Sequence, residues 1–314
     1  MPLISVIICT HNPRLSYLQR VLDGLRAQTL PTKEWELLLI DNASEQPVGE
    51  HVKLEWHPGG HYIREAKLGL THARLRGIAD SNAGLLVFVD DDNVLAPGYL
   101  KQTLEIARQH SMLGAWSGQV VPEFEIPPSE ELQHFLGLLC IRKLERDFWG
   151  NELVWARLPW GAGMSVRREV AQHYQQDVSG NVLRLSLGHA GNRASCHDDL
   201  DLAMTSLDLG LGTGLFTSLM LTHLIPARRL NESYLLQLAE NAAAAFVVLR
   251  SCRGLKIDDM PAGVHRWIQQ LEYWRASPVQ KKAADAQLRG IKTGRAMVAD
   301  LATPRQNTMP ARSI

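Results

Sequence analysis

Residues 85–93 read LLVFVDDDN, an apolar run that ends in the three consecutive carboxylates Asp90, Asp91 and Asp92. Such a run predicts a strand buried on both faces, as in a parallel sheet covered by helices. Neighbouring carboxylates repel one another, so a divalent cation that neutralises them stabilises the cluster. A helix cap is the alternative, because Asp and Asn are favoured in caps and Pro97 follows.

The preceding residues place this strand in a sheet. Residues 3–9 and 36–40 have the composition of strands, while 15–28 and 68–82 carry apolar residues at helical spacing. This alternation predicts an α/β fold with an open, mostly parallel sheet, whose ligands bind outside the carboxyl ends of the strands. Polar side chains occupy three such ends: Thr10, His11 and Asn12, then Asp41, Asn42 and Ser44, then Asp90 to Asn93. They favour a site over a simple cap.

The residue types at these ends indicate a nucleotide and a metal. Mg²⁺ and Mn²⁺ prefer oxygen ligands and usually hold substrate phosphates as well. The His11 ring can stack on a base and the Asp41 carboxylate can accept its hydrogen bonds, although Thr10 to Asn12 also suit a turn before Pro13. Arg64 and Lys67 can pair with phosphate or form a solvated basic turn. His223, after an apolar run, is a metal ligand or a buried core histidine.

A second acidic group begins a predicted helix at residues 198–209. Asp198 and Asp199 lie in its first turn, where negative charge is favoured by the helix dipole. Their functional interpretation is a general base that takes the proton of an attacking hydroxyl. Trp160, Gly161 and Gly163 form a Gly-rich turn, which either admits a ligand close to the backbone or is an ordinary tight turn.

Further patterns predict helices at 97–110, 129–146 and 232–250, a strand at 113–121 and a change of organisation at the Pro-rich residues 122–128. We expect a domain over 1–230, a helical region over 231–302 and a disordered tail over 303–314.

The composition excludes several classes of protein. Lys plus Arg and Asp plus Glu are both 33 among 314 residues, so no net charge favours nucleic acid. The four cysteines form no Cys-x-x-Cys pair, which argues against a disulfide framework and favours a reducing compartment. No apolar run approaches the roughly 20 residues of a membrane span. We expect a cytoplasmic protein, free or peripherally attached at the inner face of the membrane.

Six motifs, in order, resemble those of the family-two glycosyltransferases, which have the GT-A fold. They are SVIICTHN at 5–12, LIDNAS at 39–44, GLTHARLRGI at 69–78, VFVDDDN at 87–93, WGAGM at 160–164 and HDDLDL at 197–202. The resemblance implies a donor sugar on UDP or GDP, bound through Thr10, His11, Asp41, Arg64, Lys67, Asp90 and Asp91. It implies Mn²⁺ or Mg²⁺ at Asp92 and His223, the acceptor beside Trp160, Gly161 and Gly163, and Asp199 or Asp198 as base.

The resemblance also implies one inverting displacement onto an acceptor hydroxyl, for example in polysaccharide or glycoconjugate assembly on a glycan or lipid-linked acceptor. Asp198 stands where the family usually has Glu, and Lys67 where Asn is common. The chain lacks the Gln-x-x-Arg-Trp element of processive members. Two alternatives remain: a nucleotide-sugar-binding protein without catalysis, and a nucleotidyltransferase, although residues 10–14 contain no glycine for a triphosphate loop.

Overall fold

Four parallel strands form the first half of the sheet. The computed structural model describes residues 1–188, 197–256 and 277–302. Strands β1 (Ile4–Thr10), β2 (Trp35–Asn42), β3 (Gly60–Glu65) and β4 (Leu85–Asp90) lie in the order β3-β2-β1-β4. All residues of β1 and β2 are buried, which explains their continuous apolar runs. The parallel register pairs Thr10 with Asp41 and Cys9 with Asp90, so the polar strand ends share one edge.

The second half of the sheet is mixed. It contains β5 (Asn93–Leu95), β6 (Leu113–Phe124), β7 (Phe148–Gly150), β8 (Ser165–Arg167) and β9 (Gly212–Ile225). Strand β8 joins β4 and β6 by antiparallel pairing, β6 is parallel to β9, and β5 and β7 are antiparallel to β9. The expected α/β class is confirmed, but antiparallel pairs of β5, β7 and β8 make the second half of the sheet mixed rather than mostly parallel. The pairing of Asn93 with His223 brings β9 beside the acidic turn.

Helices cover both faces of this sheet. They are α1 (Leu15–Arg26), α2 (Leu70–Asp80), α3 (Tyr99–Gln109), α4 (Arg168–Val178), the short α5 (Val182–Leu185) and α6 (Asp198–Asp208). Alternation along β1 divides the core, because Val6 and Ile8 pack with α1 and α3, whereas Ile7 and Cys9 pack with α2, α4 and α6. The sheet is thereby covered by helices on both faces.

The C-terminal region is helical, as expected, and consists of α7 (Glu232–Cys252) and α8 (Pro278–Ala302). Lys282 pairs with Glu232 and Arg289 with Glu240, so contacts advance in the same direction and the two helices run parallel. Helix α7 is long and apolar enough to cross a membrane, with a mean hydropathy of 1.2, but a core helix passes the same test. The expected disordered tail, 303–314, lies outside the described residues.

Two segments differ from their sequence expectation. Residues 129–146 were expected to form a helix, but the chain makes 3₁₀ turns at Glu130–Leu139. Cys140 then adopts a left-handed conformation with φ 53°, and Arg142 forms a β-bridge with Val120. Strand β6 also continues to Phe124, through the residues expected to end it. Pairing with β9 along this length supports the extension.

Candidate active site

The three polar strand ends meet at one edge of the sheet, as expected. The Thr10 hydroxyl donates a hydrogen bond to Asp91 and thereby ties the end of β1 to the turn after β4. Helix α3 begins at Tyr99, with Gly98 as its cap residue, so the acids do not cap this helix. Strand β5 follows Asp92 directly. The helix-cap interpretation of Asp90 to Asp92 is therefore wrong.

Asp92 faces His223 and an arginine that the sequence did not single out. The Asp92 Oδ2 atom lies 3.5 Å from His223 Nε2 and 2.9 Å from an Arg229 guanidinium nitrogen. His223 Nδ1 lies 3.0 Å from the Leu139 carbonyl oxygen, so Nδ1 carries a proton, and in the neutral ring Nε2 is then the atom with a free lone pair. Burial alone would raise the pKa of Asp92, but contacts with His223 and Arg229 outweigh it and lower the pKa.

The pKa values of the other two acids of the turn, Asp90 and Asp91, are raised. Burial, followed by the charge of Asp92, raises the pKa of Asp91 to about 7. Burial raises the pKa of Asp90 to about 6, with further contributions from Asp92 and Asp199. The Asn93 side-chain amide donates to Asp90 at 3.0 Å and to Asp92 at 3.2 Å. The edge therefore concentrates negative charge that a cation would relieve.

Asp92 and His223 fit a divalent cation as a pair of ligands. Asp92 Oδ2 and His223 Nε2 lie 3.5 Å apart, so a carboxylate oxygen and an imidazole nitrogen, both ligand types for Mn²⁺, face the same place. The carbonyl behind His223 orients its ring, as outer partners of metal ligands do. Within residues 1–188, 197–256 and 277–302, no three His, Cys, Asp or Glu side chains are placed to hold a metal. Mg²⁺ and Mn²⁺ commonly take further ligands from substrate phosphates and water.

Asp41 lies at the expected strand end, but its carboxylate is closed off. The side chain is fully buried and accepts hydrogen bonds from Tyr62 Oη at 2.6 Å and from the amides of Ser44 and Val48, both at 3.1 Å. These bonds lower the pKa of Asp41 although burial opposes them. A direct contact with a base would require this loop to open. In the present geometry Asp41 shapes the loop, and its role in base binding stays a prediction.

The loops after β1 and β2 hold each other through backbone and side-chain contacts. Exposed His11 has Nδ1 at 2.7 Å from the Asn42 carbonyl oxygen, and the Asn12 amide donates to Ser44 at 2.9 Å. Arg64 donates to the Ser44 carbonyl at 2.7 Å, while the Lys67 side chain is exposed. His11 therefore has an accessible ring at the strand end. The phosphate roles of Arg64 and Lys67 stay predictions.

Helix α6 gives its first two acids different surroundings. Asp198 is 2% exposed and forms a buried ion pair with Arg74 of α2. Asp199 is partly exposed, and its Oδ2 atom accepts the Gly161 amide at 2.7 Å. Because Asp198 is engaged below the surface, the geometry favours Asp199 as the base. Farther along α6, Asp201 is clamped by Arg184 and Arg253, both at 2.7 Å.

The Gly-rich turn lies directly over this ion pair. A Cβ atom at Gly161 would stand 2.5 Å from the Arg74 guanidinium and 3.2 Å from Asp199 Cβ. Gly163 has φ 70° and its carbonyl accepts the Tyr99 hydroxyl at 2.7 Å. Close packing and backbone conformation thus require both glycines. They position the turn beside Asp199, and its role on the acceptor side stays a prediction.

The Trp160 ring packs against Arg142, another residue that the sequence analysis did not single out. The Arg142 guanidinium lies 3.5 Å above the centre of the Trp160 ring and donates to the Leu158 carbonyl at 3.0 Å. Burial lowers the pKa of Arg142 to about 10. Arg74 lies in the 69–78 motif, but its partner Asp198 is distant in sequence. Arg229 follows His223 by six residues, but its partner Asp92 is also distant in sequence. Residue patterns alone therefore gave no signal for these contacts.

The chain belongs to glycosyl transferase family 2, because the model of that family matches residues 5–174, more than half of the chain. Polypeptide N-acetylgalactosaminyltransferase 8 of Drosophila melanogaster is 31% identical over 105 residues, 32% of this chain and 18% of that protein. Glycosyltransferase AglE of Haloferax volcanii is 28% identical over 95 residues, 29% of this chain and 31% of that protein. The matches thus span less than a third of either relative.

The expected GT-A fold is confirmed by solved structures. The mannosyltransferase PcManGT from Pyrobaculum calidifontis, in complex with GDP-Man and Mn²⁺, aligns with a TM-score of 0.56 at 17% sequence identity. The alignment covers 95% of this chain and 79% of that chain. At this identity the likeness shows the fold.

Proposed function

We propose that this chain is an inverting glycosyltransferase that moves a sugar from a UDP- or GDP-linked donor to an acceptor hydroxyl. The proposal rests above all on one arrangement: Asp92 with His223 at one strand end, and Asp199 on the Gly161 amide. Asp92 and Asp199 both contribute to the raised pKa of Asp90, which supports their lying near the same edge of the sheet. We infer that this edge binds the diphosphate beside the base.

The residues divide the reaction between them. His11 offers its exposed ring to the base, and Asp92 with His223 would hold Mn²⁺ or Mg²⁺. Such a cation, when bound, neutralises charge that develops on the leaving diphosphate. Asp199 takes the proton of the attacking hydroxyl, and the Gly161 amide keeps its carboxylate oriented. One displacement at the anomeric carbon, with the base opposite the leaving group, inverts the configuration.

The two alternative functions lose their support. The unusual Asp198, which motivated a binding protein without catalysis, is fully used by its ion pair with Arg74, while Asp199 stays accessible. A nucleotidyltransferase would release pyrophosphate, and none of the described contacts favours it. Transfer onto a glycan or lipid-linked acceptor, single transfer per encounter, the polysaccharide or glycoconjugate role, the cytoplasmic location and the domain division stay predictions.

The test is release of nucleoside diphosphate from a panel of UDP- and GDP-sugars with MnCl₂, with water as the acceptor. Asp199→Asn should lower the turnover rate by about 10²–10⁴-fold, the contribution of a general base, and leave binding of UDP or GDP unchanged. Asp80→Asn is the matched control, because Asp80 ends α2 on the surface and pairs with Arg76. Equal turnover in Asp199→Asn and wild type would reject Asp199 as the base.

A further inference from the structure

The Arg229 side chain occupies the space between the two proposed metal ligands. Its Nη1 atom donates to Asp92 Oδ2 at 2.9 Å and lies 3.2 Å from His223 Nε2. With the proton of His223 on Nδ1, the Nε2 lone pair accepts this second hydrogen bond. The Arg229 Nη1 atom therefore contacts both of the atoms that would bind a cation, Asp92 Oδ2 and His223 Nε2.

The guanidinium and a divalent cation exclude each other at this place. A cation held by Asp92 and His223 would need the same two atoms, Oδ2 and Nε2, that Nη1 now contacts. Two positive charges so close together also repel strongly. Arg229 must therefore leave before a cation can bind these two atoms.

The Arg229 side chain is more exposed than that of its partner Asp92. It ends the turn Ala227–Arg229 after β9, and its side chain is 28% exposed, compared with 11% for Asp92. The turn itself is anchored, because the Ala227 amide donates to Glu125 at 2.9 Å. The side chain can thus rotate away while its backbone stays in place. The charged oxygens of a diphosphate can accept hydrogen bonds from the planar guanidinium in place of those of Asp92.

We propose that Arg229 competes with the divalent cation for Asp92 and His223 and gives way when a nucleoside diphosphate provides its alternative partner. This inference rests on the proposed function. Its consequence is that metal and nucleotide bind cooperatively: the cation binds weakly to the free protein and more tightly to the nucleotide-bound protein. By linkage, the cation raises the affinity for nucleotide by the same factor.

The experiment measures Mn²⁺ binding to the full chain from the electron paramagnetic resonance signal of free Mn²⁺, without nucleotide and with saturating UDP or GDP, after subtraction of the Mn²⁺ that the same nucleotide binds without protein. In wild type, UDP or GDP should tighten Mn²⁺ binding by about tenfold, within the usual range of such coupling. Arg229→Gln should bind Mn²⁺ without nucleotide about tenfold more tightly than wild type, and nucleotide should add less.

Arg228→Gln is the matched control. Arg228 is the exposed neighbour in the same turn, so its removal takes away one nearby positive charge without opening the ligand pair. It should behave as wild type. Thermal unfolding of each variant verifies that the fold is retained.

Equal or weaker Mn²⁺ binding in Arg229→Gln overturns the competition and leaves the proposed function intact. Equal gains in Arg228→Gln and Arg229→Gln also overturn it, because general charge removal then explains the effect. The competition is also rejected if nucleotide fails to tighten Mn²⁺ binding in wild type and in both variants. Failure of Mn²⁺ to bind under every condition overturns both this inference and the proposed metal site.

Discussion

Asp198→Asn tests whether the two neighbouring acids of α6 have different tasks. The Arg74 and Asp198 side chains are 4% and 3% exposed, so the substitution leaves a buried guanidinium without its ion-pair partner. Removing one partner of such a pair costs about 3–5 kcal/mol. Arg74 keeps weaker interactions with Asp199 and Asp90, which places the expected loss near the lower limit, about 3 kcal/mol.

Asp199→Asn provides the comparison for stability. Its side chain is partly exposed, and the amide oxygen of Asn can still accept the Gly161 hydrogen bond. The expected loss is therefore below about 1 kcal/mol. Urea unfolding, followed by tryptophan fluorescence, gives both free energies of unfolding.

A double substitution separates the ion pair from other effects. Arg74→Met with Asp198→Leu replaces both charges by apolar side chains, and such replacements are often nearly neutral or even stabilising. The double variant should therefore be more stable than Asp198→Asn. A loss below about 1 kcal/mol in Asp198→Asn, or a larger loss in Asp199→Asn, would refute the assignment of Asp198 as the buried structural acid.

Three further substitutions test packing and electrostatics. Gly161→Ala should lower turnover while the protein stays folded, because its Cβ would displace Arg74; unchanged kinetics would contradict this contact. Burial lowers the pKa of His57 to about 4, so stability should fall as pH decreases from about 6.5 to 4, and His57→Gln should flatten this slope in urea titrations. Gly290→Ala should destabilise the protein by about 1–3 kcal/mol despite better helix propensity, because Cβ would meet the Glu240 carbonyl; a higher urea midpoint would refute this.

Local sequence patterns predicted the strands that are buried on both faces and the helices whose apolar residues recur at helical spacing. The runs of β1 and β4 and the start of α6 at Asp198 agree with expectation. Strand β3 was missed because it lies at the sheet edge, where its half-exposed residues show no apolar run. Apolar spacing predicts a helix over 129–146, whereas the chain makes 3₁₀ turns at Glu130–Leu139 and Arg142 pairs with Val120.

The candidate site was predictable where topology alone determines position. Parallel strands bring their carboxyl ends together, so Thr10 and Asp90 were placed correctly from the order of strands. The contacts of Arg229 with Asp92 and of Arg74 with Asp198 depend on how the second half of the sheet and α6 pack. That packing joins residues 137 positions apart in the first pair, beyond the reach of any local pattern.

The most direct test of the account is the affinity for UDP and GDP, measured by isothermal titration calorimetry with and without MnCl₂. The account predicts that Mn²⁺ tightens binding of at least one nucleotide by about tenfold or more, and that Asp92→Asn removes this gain. Asp80→Asn should retain it. Equal affinity with and without Mn²⁺ in wild type, or the same gain in Asp92→Asn, would contradict a cation site at the acidic strand end.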